Sequence, residues 1–449
     1  MMGNPPDRVA QHGTWGDGIA VRGMRLWLLA RTGDPVAKLL EPGFRGDAHA
    51  LYARMRSQGP VYRSRTGMFA TFSFESSHRI LRDPRYSTCE SLVRPYEVHT
   101  LTPRAYAVAV PFVESALGHA AIHVDAAARG LVRRLAHGEP FDAVEEFAFP
   151  LVVACLREVL GVPPGDSERF IKICDALSGP ARGAPATVDT EAARDAREDL
   201  AALVIRLERE RRHSTADDLI SRLASSGARG TVAPGLAGLV DQFRRRGLLD
   251  AGGAAKPNIV SDRLGLEEIA ELCQELITIG LSIAVGLIGN AIAALTAHPD
   301  QWKMVTASPR LAGKAVEETL RFDPPHQFAL RVTSEEVELA GHTLPRGTGV
   351  LVMLAAAHRD VDQFAHPTRF DITREGEGDL LVPDGATGLA LSLARLVGQT
   401  ALWTLAHRLP ELSPAGPAVR RPGGTVRDCL RMPLRAPLPH PGGQPGGRG

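Results

Sequence analysis

Apolar residues recur at helical spacing along most of the chain, and short alternating runs interrupt them at two places. AHALYARMRSQGPVY from about Asp47 reads as a helix, followed by two short strands, Pro60–Ser64 and Met68–Ser73, around a Thr66-Gly67 turn. SFESSHRILRD reads as a compact helix with serines near its start. Residues 87–110 read as irregular, because Pro95, Pro103 and Pro111 interrupt any helix. Further helices are predicted at about 113–137, 143–160, 166–178, 188–212 and 217–225. The longest apolar run, Leu276 to Ala297, has no charged residue in 22 positions. Its length permits a membrane span. Its polar Thr278, Ser282 and Asn290, and the amphipathic helices on either side, favour a helix of about 266–297 buried in a helical domain. Ser308-Pro309 is an N-cap signature for the helix RLAGKAVEETLRF, which Pro324-Pro325 ends. Alternation over 328–354 predicts strands around Gly341 and the Pro345-Arg-Gly turn, and a last helix covers about 391–409. The expected architecture is mainly α with small β-sheets.

Composition adds boundaries. Residues 1–24 are polar and Gly-rich and are expected to be mobile; 25–435 form one domain, with a Gly/Ala/Pro-rich insertion at about 226–262; 436–449 form a disordered tail. Lys plus Arg is 52 against 51 for Asp plus Glu, a net charge of +1. That balance argues against a general nucleic-acid or anionic-membrane binder. The run Arg244–Arg246 has no aromatic stacking partners and reads as a solvated helix end. Five scattered cysteines (Cys89, Cys155, Cys174, Cys273, Cys429) form no Cys-x-x-Cys pair, which points to a reducing cytoplasm and to no zinc site or disulfide framework. His119 and His123, four apart near Asp125, lack the third ligand a metal would need. Ser282 lacks the second glycine of a nucleophile elbow. Gly286 and Gly289 read as sites of close helix contact, and Trp27, Leu28 and Leu29 as either a partner-binding patch or part of the chain's own core.

One constellation carries more. Glu318 and Arg321, three apart, share a helix face, and Arg369 in FAHPTRFD stands some fifty residues on. A carboxylate between two guanidinium groups would lock two distant segments together. The series AVEETLRFDPP, LRVTSEEVELAGHTLPRGTGVLVMLAAAHRD, FAHPTRFD and LSLARLVGQTALWTL, in that order and spacing, resembles the bacterial haem-thiolate monooxygenases of the cytochrome P-450 superfamily. The resemblance implies that family's helical fold, and it implies that Glu318, Arg321 and Arg369 are its structural triad.

The family's chemistry does not follow. Its haem ligand is a Cys inside a Phe-Gly-x-Gly-x-x-x-Cys-x-Gly loop. Counted back from Ala394-Arg395, the Cys position is Gly388, the Phe position Leu381, and the two Gly positions Val382 and Asp384. The segment DLLVPDGATGLALSLAR offers no Cys, His, Tyr or Met. The family's Ala-Gly-x-Asp/Glu-Thr-Thr proton relay falls on Ile279, Gly280, Ser282, Ile283 and Ala284, where no carboxylate remains. His99 and Arg104 do not match its propionate-binding spacing. A kept triad beside lost chemistry implies a retained fold without catalysis. MRLWLL from Met24, then TGDP at Thr32–Pro35, and the close around Cys429 resemble the haem-free auxiliary proteins of antibiotic-pathway deoxysugar glycosyltransferases. That resemblance implies a cytoplasmic protein with no cofactor that binds, stabilises and activates a glycosyltransferase acting on a polyketide or similar aglycone. Two other readings stay open: an oxidoreductase of this fold with unusual haem ligation, and a small-molecule binding protein that uses the old pocket.

Overall fold

A computed structural model describes residues 19–436 apart from 42, 89–100, 102, 136–137, 179–189, 213–214, 226–263, 376–379, 384 and 424–425. The expected insertion at 226–262 lies outside the described residues, as do 1–18 of the expected mobile segment and 437–449 of the expected tail.

The chain opens with α1 (Ile19–Arg31), α2 (Pro35–Leu40) and α3 (Ala48–Arg56). Helix α1 starts inside the segment expected to be mobile. Strands β1 (Val61–Arg63) and β2 (Phe69–Thr71) form the anticipated hairpin, and α4 (Phe74–Arg82) follows, capped by Ser73 Oγ accepting from the Ser76 N–H at 3.2 Å. After β3 (Tyr86–Thr88) comes α5 (Pro103–Leu135). The helix thus runs through positions where proline is expected to interrupt it. Pro103 occupies the first turn, where no intrahelical N–H is required, and the helix carries Pro111 internally.

Strand β4 (Phe141–Asp142), a π-helical turn at Ala143–Ala148 and α6 (Phe149–Leu160) come next, then α7 (Ser167–Leu177), α8 (Glu191–Arg211) and α9 (Leu219–Ser225). The long apolar run is one continuous rod: α10 (Leu266–Glu275), a π-helical turn at Leu276–Gly280, and α11 (Leu281–Ala297). Of its most apolar 18-residue window, 83% is buried within the protein, as the sequence reading favoured. Helix α12 (Pro299–Ala307) follows, then a 3-10 turn at Pro309–Leu311 and α13 (Ala312–Phe322). Ser308 makes no side-chain cap, so the expected N-cap is absent; the 3-10 turn delays the helix to Ala312.

Strands β5 (Ala329–Thr333), β6 (Val337–Leu339), β7 (His342–Leu344) and β8 (Gly349–Val352) precede the short α14 (Leu354–Ala357). Helix α15 (Ala386–Arg408) and strands β9 (Ser413–Pro414), β10 (Val419–Arg420), β11 (Cys429–Arg431) and β12 (Pro433–Arg435) complete the chain.

The largest sheet has the order β1-β2-β8-β5-β3, with only β2 and β8 parallel. Three smaller sheets are β4-β12-β9, β10-β11 and β6-β7. The main core forms around α11, which packs on α15, α13 and α6; Leu287, Ile288, Ala291 and Leu295 are wholly buried. The closest approaches occur at glycines. A Cβ on Gly280 would lie 2.9 Å from Leu393 Cδ2, one on Gly286 would lie 3.1 Å from Pro325 and Asp428, and one on Gly289 would lie 3.4 Å from Cys429. The reading of Gly286 and Gly289 as close-contact positions holds.

Candidate functional site

The Glu318 carboxylate is almost wholly buried and binds Arg321 in bidentate fashion, Nε to Oε2 and Nη2 to Oε1, both at 2.8 Å. The second guanidinium is not Arg369. That side chain is 68% exposed and lies 3.8 Å from Asp371. Arg374 takes the place, with Nε 3.3 Å from Glu318 Oε2. The cause is local. His366 adopts φ 47°, the Arg369 N–H closes a turn on the His366 carbonyl, and Arg369 contributes its backbone oxygen to Arg321 Nη2 at 2.9 Å. Asp371 then accepts from the Thr373 N–H and hydroxyl, and the resulting turn brings Arg374 back to the carboxylate. The Asp-x-Thr-Arg stretch after Phe370 was the available signal.

The expected ligand segment folds onto the protein. Helix α15 begins at Ala386, about five residues earlier than the periodicity suggested, so Gly388 lies in its first turn. A Cβ at Gly388 would stand 3.0 Å from the Pro383 carbonyl oxygen, tighter than an ordinary contact. Leu381 and Pro383 are buried, Val382 is 38% exposed, and Asp384 lies outside the described residues. The Leu381 N–H donates to His358 Nε2 at 2.9 Å. That imidazole is buried, and burial lowers its pKa to about 4, with Arg321 and Arg395 adding to the shift. It is therefore neutral, with Nε2 as the acceptor. Gly385, at φ 72°, packs against Tyr106, whose hydroxyl donates to buried Glu275 at 2.7 Å.

A cavity of about 30 Å³ remains between Ile283 and Leu381, with Leu320, His358 and Thr387 in its wall. That is room for about two waters. Of the relay positions, Ile279 and Gly280 belong to the π-helical turn, Ser282 is half-buried, and Ile283, which lines the cavity, and Ala284 are buried and apolar. Over this part of α11 the chain closes a lid. Val426 bridges His326, and Asn290 Nδ2 donates to the carbonyls of Asp323 at 2.9 Å and Arg427 at 2.7 Å. Arg420 and Arg427 both reach the Asp323 carboxylate, at 3.1 and 2.8 Å.

A sequence profile of the family described as Cytochrome P450 matches residues 294–374. The protein AknT of Streptomyces galilaeus is 30% identical over 93% of this chain and 94% of its own length. The protein DesVIII of Streptomyces venezuelae is 32% identical over 90% of this chain and 88% of its own. The chain belongs to the cytochrome P450 family. The ligand-free structure of cytochrome P450 TbtJ1 superposes with a TM-score of 0.70 at 27% identity, over 89% of this chain and 99% of that one. The expected fold class is thus met.

The family's haem tests the site directly, and the residues do not fit it. Gly388, which the count from Ala394-Arg395 puts at the thiolate position, lies inside a helix. The cysteines among the described residues (Cys155, Cys174, Cys273 and Cys429) are all buried in other elements, where burial raises their thiol pKa, to about 11 for Cys429. Cys89 and His99 lie outside the described residues. Arg104 pairs with Glu268 at 3.7 Å. Two imidazoles line the cavity: His358 already accepts from the Leu381 N–H, and the backbone of His326 is bridged to Val426. A volume of about 30 Å³ is an order of magnitude below the roughly 300 Å³ at which small-molecule pockets begin.

The remaining candidates divide. His119 binds the Ser115 carbonyl at 2.7 Å and faces Asp217 at 3.5 Å, while Asp125 pairs with Arg129, so the three do not converge. Trp27 and Leu28 are 43% and 51% exposed and Leu29 is half-buried, so the first two do not fold into the chain's own core.

Proposed function

We propose that this P450-family chain is a haem-free, non-catalytic auxiliary protein. In this reading it binds, stabilises and activates a cytoplasmic glycosyltransferase that transfers a deoxysugar to a polyketide or similar aglycone. The observation that carries the reading is the state of the ligand segment: Gly388 lies within α15, Leu381 is hydrogen-bonded to His358, and about 30 Å³ is left between Leu381 and Ile283. A P450 fold without room for its prosthetic group still offers a surface. The resemblance of its N-terminal MRLWLL and TGDP stretches to transferase auxiliary proteins names the partner class.

The mechanism is linkage. A chain that binds only the folded, active form of the transferase stabilises that form by RT ln(1 + [L]/Kd), about 2.7 kcal/mol at a hundredfold excess over Kd. A stable complex is expected to bury about 1,200 Å² or more in total. The test is to express nucleotide-sugar-dependent glycosyltransferases of the same organism with and without this chain, and to measure soluble yield and sugar transfer. Both should rise with the chain present. Equal yield and turnover in its absence, or tight binding of the aglycone by this chain with no effect on the transferase, would remove the proposal.

A further inference from the structure

Resting on that partner reading, we infer that α1 is a preformed docking helix that seats in an apolar groove of the partner protein, with carboxylates along the groove's rim. Between Arg25 and Arg31 only Ala30 is buried; Leu26 and Leu29 are half-buried, and Trp27 and Leu28 are exposed. Leu26, Leu29 and Ala30, at i, i+3 and i+4, form the inner face, and Trp27, Leu28 and Arg31, with the same closeness around the helix, form the outer one. Among the described residues nothing covers the outer face, and a helix apolar on both faces gains from seating that face against a second body.

The helix is rigidly mounted. Its C-terminus is a Schellman motif: the Asp34 N–H donates to the Leu29 carbonyl at 3.0 Å and the Gly33 N–H to the Ala30 carbonyl at 3.1 Å, with Gly33 at φ 93°. Asp34 is buried and caps α2 through the Ala37 N–H at 2.9 Å. It also accepts from Ser64 Oγ at 2.9 Å, the Arg65 N–H at 2.9 Å and the Tyr62 hydroxyl at 3.2 Å. Arg65 in turn donates to the Thr32 carbonyl at 2.9 Å. The TGDP stretch is thus the bracket that fixes α1 to the β1–β2 hairpin. A helix held in its bound conformation loses little entropy when it docks.

The charges select the occupant. No acidic residue occurs from Arg25 to Gly33, whereas exposed Arg25 and Arg31 flank the apolar run. Arg54 and Arg65 are exposed beside the bracket, and Asp34 is buried within it. A chain of net charge +1 therefore carries a local basic rim around an apolar stripe. Arg31 lies over the Trp27 ring at 4.5 Å, which pairs two residue types that dominate interface energetics. A second copy of this chain would set arginines against arginines. An acidic-rimmed groove on a partner protein satisfies both the apolar stripe and the rim.

Binding of the full chain to the same glycosyltransferase tests this. Trp27→Glu with Leu28→Glu should weaken binding at least ~30-fold while thermal unfolding of the free chain stays unchanged, since neither side chain is buried. Arg25→Glu with Arg31→Glu should weaken binding and flatten its dependence on salt. If the wild-type chain binds the transferase and all four substitutions leave binding intact, the docking inference falls and the partner reading stands. If the wild-type chain binds no transferase, the partner reading falls and takes the inference with it. Two outcomes would each give α1 a different occupant and overturn the inference: loss of binding to phosphatidylglycerol vesicles, or loss of a self-associated dimer, in the Trp27→Glu/Leu28→Glu variant while transferase binding stays intact.

Discussion

Arg321 donates five hydrogen bonds inside the protein: two to Glu318 and one each to the carbonyls of His358, Pro367 and Arg369. A fully buried charge is tolerable only with such complete pairing, and removal of one partner from a buried pair costs about 3–5 kcal/mol. The position of Arg374 gives a sharper prediction. Arg374→Ala, which strips Glu318 of its second cation, should lower unfolding stability by more than about 1 kcal/mol, whereas exposed Arg369→Ala should stay within about 0.5 kcal/mol. Denaturant melts of both variants check it; equal effects would contradict the assignment.

His358 gives a pH dependence. Its folded pKa of about 4 lies below the ordinary 6.5, so the unfolded chain binds the proton more readily. Its contribution is complete above about pH 6.5, is lost as pH falls toward 4, and amounts to roughly 3 kcal/mol over that window at 1.36 kcal/mol per pKa unit. His358→Asn keeps an acceptor for the Leu381 N–H but does not titrate. It should flatten the stability profile between pH 6.5 and 4, as read by thermal melts across that range. His49, also lowered to about 4 by burial, would leave a residual slope.

Among the elements, the β6–β7 hairpin turns through Ala340 at φ 49° and Gly341 at φ 80°. Two positive φ values suit Asn-Gly, and alanine has no side-chain compensation there. Ala340→Asn should raise stability by about 0.5–1 kcal/mol in a thermal melt. Gly388 makes the opposite point. Gly388→Cys supplies the missing thiol type, but the Pro383 carbonyl stands 3.0 Å from its Cβ and the adjoining cavity holds about 30 Å³. The variant should therefore bind no haem on titration.

Element by element, legibility followed the range of the signal. The buried rod of 266–297, the first hairpin and the strands of 328–354 were readable because periodicity and turn residues are local. The start of α15 was not, because Thr387 and Gly388 are weak helix formers with no side-chain cap before them, and Gly385 packs against Tyr106 at that boundary. Arg369 was misassigned for the same reason: two arginines five apart both follow the right helix, and only the His366 turn decides which one faces inward. Trp27 and Leu28 were readable as apolar, but whether a lone apolar helix is covered is a property of the fold rather than of its own sequence.

At the scale of the whole molecule, the P450 architecture is intact, and the cavity between Ile283 and Leu381 measures about 30 Å³. Among the described residues, three helices are long and apolar enough to cross a membrane by length and composition alone, yet the central one is buried in protein. Glu318–Arg321–Arg374 still joins α13 to the segment before α15. The ground between them is occupied by Leu381, Pro383 and the early start of α15. The wholly buried face of α11 supplies much of the apolar packing of the main core.

The most direct test of this account is the absorbance spectrum of the full chain purified from haem-supplemented cells, with haem content measured by extraction. The account predicts a folded protein with no Soret band and no extractable haem. A stoichiometric Soret band would contradict it and would require an axial ligand and a pocket that the packing of Leu381 and Gly388 excludes.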